Sequence, residues 1–352
     1  MTTINVNKAE PEAADERLAA VSFWRRLFAR PELGAIVGAI GIFVFFGLVD
    51  SQFWKIETAA RYFDFAAPLT IMAVAVALLM IGGEFDLSSG ALVGSSALLT
   101  GILATEANLH LAVAMILSLI FALLIGFTNA QLVLRTKLPS FIITLGTMFI
   151  LLGANVGMTS AIVGTVRVEK LNEAAGYEPI QWLLAKGVGT PPRDFRIIIL
   201  WALAITAIAT WVLLRTRVGN WIFAVGGNSN AARSVGVPVE KTKTGLFMYV
   251  SFSAWLIGVT SIVRFTSTQS SLGRGEEFQY IIAAVVGGCL LTGGFGSAAG
   301  AAVGALIMAM VFIGIPTIGW EPDWRLSFFG ALLLMAVLLN NWVRKKAQEA
   351  SR

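Results

Sequence analysis

Two carboxylates stand where an apolar chain has least use for them. Glu84 and Asp86, in Gly82-Gly83-Glu84-Phe85-Asp86-Leu87-Ser88-Ser89-Gly90, lie between two hydrophobic stretches with no basic residue nearby in the chain. An uncompensated charge at mid-bilayer costs about 2.5 to 3.5 kcal/mol on insertion scales, so such residues face a cavity or pair with backbone groups. Asp86 precedes an apolar run and suits its N-cap, accepting from backbone N–H groups two or three residues on, with Ser88 and Ser89 in the first turn. Glu84 has no capping role open to it and is the stronger candidate for a place on a solute pathway. Further along come Thr128, Asn129 and Gln131, then Pro139-Ser140-Phe141-Ile142-Ile143-Thr144-Leu145-Gly146-Thr147. Pro139 fits a first helical turn, where its missing N–H costs nothing. Ser140, Thr144 and Thr147 then share one face. Hydroxyls on such a stripe either hydrogen-bond a polyhydroxylated solute or hold neighbouring helices together.

Most enzymatic chemistry is excluded. His110 is the single histidine and Cys289 the single cysteine, so no histidine-rich or cysteine-rich metal site and no disulfide within the chain is available. No Gly-x-x-x-x-Gly-Lys-Ser/Thr loop, Gly-x-Ser-x-Gly elbow or His-Glu-x-x-His helix occurs, which removes the usual routes to nucleotide binding, acyl transfer and zinc proteolysis. The chain is expected to need no cofactor and to perform no covalent chemistry.

The elements that must position these residues follow from composition. Of 352 residues, 57% are hydrophobic and only 13% charged, about half the charge that a soluble domain carries. Such a chain is a membrane protein. Its net charge of +5 does not indicate nucleic acid, because the basic residues are scattered between apolar runs rather than clustered on a folded face. Apolar runs long enough to cross a hydrocarbon core of about 30 Å are read at approximately 33–49, 65–81, 87–104, 109–134, 138–163, 197–214, 244–263, 278–291, 298–315 and 326–342. The expected fold is all-α, with about ten transmembrane helices. Basic residues gather in the N-terminal tail, at Arg135 and Lys137, through 215–243 and after Arg344, which places both termini in the cytoplasm.

The organisation is then a polar cytoplasmic tail over 1–30, a transmembrane domain over 31–343 and a basic cytoplasmic tail over 344–352. Two connections exceed a turn. Residues 164–196, with Pro179, Trp182, Pro191 and Pro192, are expected on the outer face with a short interfacial helix; residues 215–243 are expected inside. His110 and the tryptophans Trp54, Trp320, Trp324 and Trp342 read as interfacial anchors. A weak internal repeat relates Gly82-Gly83 and Ser89–Gly94 to Gly293-Gly294 and Ala299–Gly304. Glycine-interrupted segments in matching places of two halves point to a transport site, while glycine is also a close-packing residue of membrane helices.

One stretch is more specific than any of these. Phe223-Ala224-Val225-Gly226-Gly227-Asn228-Ser229-Asn230-Ala231-Ala232-Arg233-Ser234-Val235-Gly236-Val237 closely resembles a signature of ribose/xylose-type ABC transporter permeases. Three further segments resemble motifs of that family in the same order, namely Gly82 to Gly90, Leu138 to Gly146 and Ala284 to Gly304. The resemblance covers most of the chain.

It implies the membrane subunit of a monosaccharide importer in a bacterial inner membrane. Such a permease works as a pair of identical copies or with a paralogue. A periplasmic binding protein delivers the sugar, and a separate cytoplasmic ATPase supplies the power stroke. The family's coupling element corresponds to Gly226, Gly227, Asn228, Asn230, Ala231, Ala232, Arg233, Gly236 and Val237. Asn228 or Asn230 suits a helix cap there, the two alanines allow close approach to a partner groove, and Gly236 ends the helix. The translocation pathway is expected to use Glu84, Asp86, Ser88, Asn129, Phe141, Thr144, Thr147, Gly293 and Gly294. Two departures stand out. The family typically has one acid where this chain has Glu84 and Asp86, and Phe295 takes a place where a polar residue is common. The alternative reading is a secondary transporter driven by an ion gradient, with Glu84 and Asp86 as its coupling carboxylates.

Overall fold

The computed structural model describes residues 31–190 and 194–349. The expected polar tail over 1–30, the Pro191-Pro192 pair and the last three residues of the C-terminal tail lie outside the described residues.

Helices account for nearly all regular structure. In chain order they are α1 (Pro31–Val49), α2 (Ile56–Ile81), α3 (Ser89–Thr105), α4 (Leu111–Thr136), α5 (Ser140–Val163), α6 (Tyr177–Leu184), α7 (Ile198–Arg215), α8 (Arg217–Gly227), α9 (Ser229–Ser234), α10 (Val239–Phe265), α11 (Glu276–Val286), α12 (Ala298–Thr317) and α13 (Trp324–Glu349). Among the described residues there are also two short 3-10 turns (Ser51–Trp54 and Leu171–Glu173) and four two-residue strands, with β1 (Arg167–Val168) pairing antiparallel to β4 (Thr268–Gln269) and β2 (Gly187–Val188) to β3 (Phe195–Arg196). The chain is an all-α polytopic membrane protein.

Each expected span corresponds to a helix, but their lengths differ. Seven are long and apolar enough to cross a membrane, and α3 and the Trp324–Asn340 part of α13 are shorter apolar helices. The eighth expected span, 278–291, is a correction: α11 stops at Val286 after 11 residues, about 16 Å of helix. Gly287 and Gly288, followed by the left-handed Gly293 and Gly294, end it early. The expected boundary at 344 is also crossed. Lys345, Lys346, Ala347, Gln348 and Glu349 continue α13, as good helix formers with no breaker among them do.

Helix ends follow local chemistry. The α4 terminus turns at Lys137, in the left-handed region at φ 58°, and Pro139 then opens α5 with φ −54°. His110 caps α4, its Nδ1 accepting from the Ala112 N–H at 3.2 Å. Because the apolar residues of the long helices are not gathered on one side, periodicity alone does not rank them from centre to rim. The packed structure does. The windows of α2, α10 and α12 are 83%, 72% and 67% buried, whereas α1, α4, α5 and α7 are 17% to 28% buried. Helices α2, α10 and α12 form the core together with the shorter, largely buried α3, with α2 packed on α12 and on α10 and α3 packed on α10. The remaining long helices turn broad apolar faces outward, as lipid requires.

The long connections sit at opposite ends of α10. Residues 164–190 meet its C-terminal end, where the Leu171 N–H donates to Thr266 O and the Tyr177 hydroxyl donates to Val263 O at 2.8 Å. Burial raises Tyr177 above the ordinary phenol value, which keeps the hydroxyl a donor. The expected short helix in this connection is α6. Residues 215–243 occupy the other end, leading directly into α10.

Candidate functional site: two helix breaks and an exposed capped helix

Two breaks interrupt the helical core, residues 82–88 between α2 and α3 and residues 287–297 between α11 and α12. They touch each other. The Gly294 N–H donates to the carbonyl of Ile81, the last residue of α2, at 2.9 Å. The third participant is Gly226 near the end of α8. A Cβ there would overlap the Ile81 carbonyl oxygen and lie 2.8 Å from the Gly294 nitrogen. Only a hydrogen fits between these backbones, so glycine is required for close approach rather than for its torsional freedom. Gly83 and Gly293 meet the same point: a Cβ on Gly293 would lie 2.9 Å from the Gly83 Cα and 2.8 Å from the Gly226 carbonyl oxygen.

From this glycine node the chain runs into α9. Asn228 is extended (φ −158°, ψ 100°), and its side-chain oxygen accepts from the N–H groups of Asn230 and Ala231 at 3.1 and 3.0 Å. Of the two expected caps, Asn228 is the one used, and Asn230 lies inside the first turn. Ala232 and Val225 pack with Val239 in a small apolar cluster, leaving Asn228, Asn230, Ala231, Arg233, Val235 and Gly236 exposed. Gly236, at φ 84°, ends the helix. Arg233 approaches Glu240 at 3.8 Å across an exposed surface. Short, capped, poor in side-chain bulk and bedded on an apolar footing, α9 presents its surface outward while its root is locked between both breaks.

The first break carries the polar residues. Asp86 is buried, and its Oδ1 accepts from the Ser88 N–H at 2.8 Å and the Ser88 hydroxyl at 2.5 Å. It thus makes a turn just ahead of α3, with Ser88 as the residue at the cap position. Oδ2 has no hydrogen-bond partner. Asn129 donates to Ser88 Oγ at 3.0 Å and accepts from the Thr147 hydroxyl at 2.7 Å. The stripe on α5 holds the break's backbone directly. Ser140 Oγ accepts from Phe85 N and Thr144 Oγ1 accepts from Leu87 N, both at 3.0 Å. Of the two sequence readings of that stripe, holding neighbours together is what these hydroxyls do in this conformation.

Glu84 lies outside this network. It forms an ion pair with Lys243, in the first turns of α10 and 159 positions away. Nothing in the local sequence links the two. The only signal available was an apolar chain with unmatched charges of opposite sign in adjoining segments, and matching them requires the fold. Asp64 and Arg264 form a second long-range pair by two hydrogen bonds at 3.0 and 2.6 Å. It sits at the other end of α10, beside a cavity of about 480 Å³ that also exposes Arg61 and Glu276. Among the expected pathway residues, Asp86, Ser88, Asn129, Thr144 and Thr147 therefore come together, and Gly293 and Gly294 join the glycine node. The Phe141 side chain is exposed on α5, and Phe295 is exposed as well.

The family model described as branched-chain amino acid transport system / permease component matches residues 58–337. The chain is similar to the ribose import permease protein RbsC of Escherichia coli, with 30% identity over 90% of this chain and 97% of that one. It is also similar to the fructose import permease protein FrcC of Rhizobium meliloti, at 28% identity over 89% and 85% of the two chains. The autoinducer 2 import system permease protein LsrC of Photorhabdus luminescens is 28% identical over 88% of each chain. No solved structure matches. With a match this long over helices of this kind, the chain belongs to the family of branched-chain amino acid transport system / permease components and is a multi-pass membrane permease subunit.

Proposed function

We propose that this chain is the membrane-spanning subunit of an ATP-driven importer that brings a monosaccharide, or a closely related small polar solute, into a bacterial cytoplasm. Two permease copies, identical or paralogous, form the path through the inner membrane in about ten crossings each, with both termini inside. A cytoplasmic ATPase docks on Gly226 to Val237, and a solute-binding protein docks at the opposite end of α10, where residues 164–190 lie. Similarity to import permeases named for ribose, fructose and autoinducer 2 supports a small hydroxylated cargo.

The observation that carries the mechanism is the wedging of Gly226 between Ile81 and Gly294. A rigid-body movement of α9 cannot leave the two breaks in place, because the backbones at its root are in contact. Nucleotide binding in a docked ATPase moves this element, and the breaks move with it. For the cycle to turn, ATP must favour one conformation over the other, since a ligand with equal affinity for both shifts nothing. In the conformation seen here the Asp86–Ser88–Asn129–Thr147 network is closed and satisfied except at Asp86 Oδ2. Opening it frees hydroxyl and carboxylate groups for a passing solute.

The test is uptake of a labelled monosaccharide panel by proteoliposomes holding this chain with its ATPase and binding protein. Uptake of one sugar that needs ATP and all three proteins, and that is abolished by Ala231→Glu with Arg233→Glu, is expected. Uptake that continues without the ATPase and follows an ion gradient overturns the proposal and makes Glu84 and Asp86 coupling carboxylates.

A further inference from the structure

A groove opens between α7 and α10, floored by Leu78 of α2 and closed at one end by α8. Its volume is about 480 Å³, and its walls are almost wholly apolar, including Val212, Val218, Trp221 and Leu246. Thr242 also lines it, but its hydroxyl donates to Pro238 O at 3.0 Å. A sugar is a poor occupant, since a hydroxylated solute needs several convergent polar partners. Hydrocarbon is a good one. Gly245 adds to this: an added Cβ there meets nothing within 4 Å, so the wall is open where a side chain would otherwise stand.

The end of the groove at α8 is positively charged. Lys241 lines it, and Arg217 precedes the lining residue Val218 in the first turn of α8. Lys241, Arg217 and the neighbouring Arg215 are exposed, and none has an acidic partner among the described residues. The nearest acid in sequence, Glu240, faces Arg233. Trp221 lines this end, and indoles favour the level of lipid headgroups. A second copy of the chain is disfavoured as occupant, because a two-fold contact would bring the same unpaired cations face to face.

We infer that this groove binds an anionic phospholipid, with an acyl chain between Val212 and Leu246 and the phosphate at Lys241 and Arg217. The site lies beside α8, whose other end is the glycine node, so a lipid seated there braces the root of α9. The inference goes beyond the transport reading and holds whichever solute is carried, since it needs only a membrane around the chain.

The test uses the full-length chain, purified in detergent, stripped of lipid and exposed to an equal mixture of dioleoyl phosphatidylglycerol and dioleoyl phosphatidylcholine. Lipid adducts are read by native mass spectrometry. With cationic residues contributing what they do at an anionic surface, phosphatidylglycerol should be retained about fivefold over phosphatidylcholine. The Lys241→Gln, Arg217→Gln double variant should remove the preference. Gly245→Phe, which fills the groove while leaving the cations, should reduce retention of both lipids. Equal retention of the two lipids by the unaltered chain overturns the inference, as does a preference that survives both variants. A disulfide between two copies carrying Gly245→Cys, formed in native membranes, would assign the groove to a second permease and overturn it equally.

Discussion

Lys243 and Glu84 pair across 159 positions of sequence, with side chains only 14% and 10% exposed. The pair ties the first turns of α10 to the break between α2 and α3, one residue from the glycine that touches Gly226. It therefore spans the junction through which movement of α9 reaches the core. Removing one partner of a pair this enclosed leaves an uncompensated charge and costs about 3–5 kcal/mol. Lys243→Met is expected to lower the melting temperature of the purified chain more than the Glu84→Gln, Lys243→Met double variant does. Equal destabilisation by the single and double variants in a thermal melt would show that the pair is not coupled. The same Glu84→Gln variant tests the role of the extra carboxylate in transport. If affinity, specificity and pH dependence of uptake all stay unchanged, Glu84 has no part in the solute pathway.

Gly226 and Gly227 are neighbours with opposite steric surroundings. A Cβ on Gly226 overlaps the Ile81 carbonyl, while one on Gly227 meets nothing within 4 Å. Gly226→Ala is expected to abolish coupled uptake and Gly227→Ala to preserve it. ATPase activity measured in parallel separates a broken coupling path from a failure to assemble. Comparable uptake by the two variants would refute the wedge.

Asn228 holds α9 by two hydrogen bonds to its first turn. Losing an N-cap costs about 1 kcal/mol, and aspartate caps as well as asparagine. Asn228→Ala should weaken co-purification of the ATPase, and Asn228→Asp should restore it. Failure of the aspartate variant to restore binding would mean that the amide contacts the partner directly.

Asn129 is the hinge of the polar network, donating to Ser88 and accepting from Thr147. Asn129→Leu removes one hydrogen bond from Ser88 Oγ and one from Thr147 Oγ1, each of which keeps another, to Asp86 and to the Ile143 carbonyl, at about 0.5–1.5 kcal/mol for each bond lost. A clear drop in thermal midpoint is expected, larger than for Gln131→Leu, whose amide makes one long bond of 3.3 Å to Thr244. A smaller drop for Asn129→Leu would show that the network contributes little.

The helical, membrane-embedded class of the chain was legible from apolar run length, because each run satisfies its own backbone and needs nothing distant to be a helix. A cap at Asn228 or Asn230, the Gly236 stop, the α5 start at Pro139 and the glycine-rich break at Gly82-Gly83 were legible for the same reason, as local backbone chemistry. The coupling stretch was legible as a resemblance, and its footing on Val225 and Val239 came with the fold. What the sequence could not rank was which apolar helix lies at the centre. The apolar residues of α2, α10 and α12 are not confined to one side, and lipid and protein interior look alike to an apolar residue.

Run lengths, capping residues and glycine positions are short-range properties, so the amino-acid order by itself determined a polytopic helical membrane protein with a glycine-rich break after Ile81 and a capped short helix. Which groups meet across the breaks was decided only by tertiary packing. Lys243 finds Glu84, Thr144 finds the Leu87 N–H, and Gly226 slots between Ile81 and Gly294 over separations from 57 to 159 positions. Such contacts depend on the order in which the apolar helices pack. Apolar surface is non-directional, and only steric fit between particular backbones and the cost of unpaired buried charge select one arrangement.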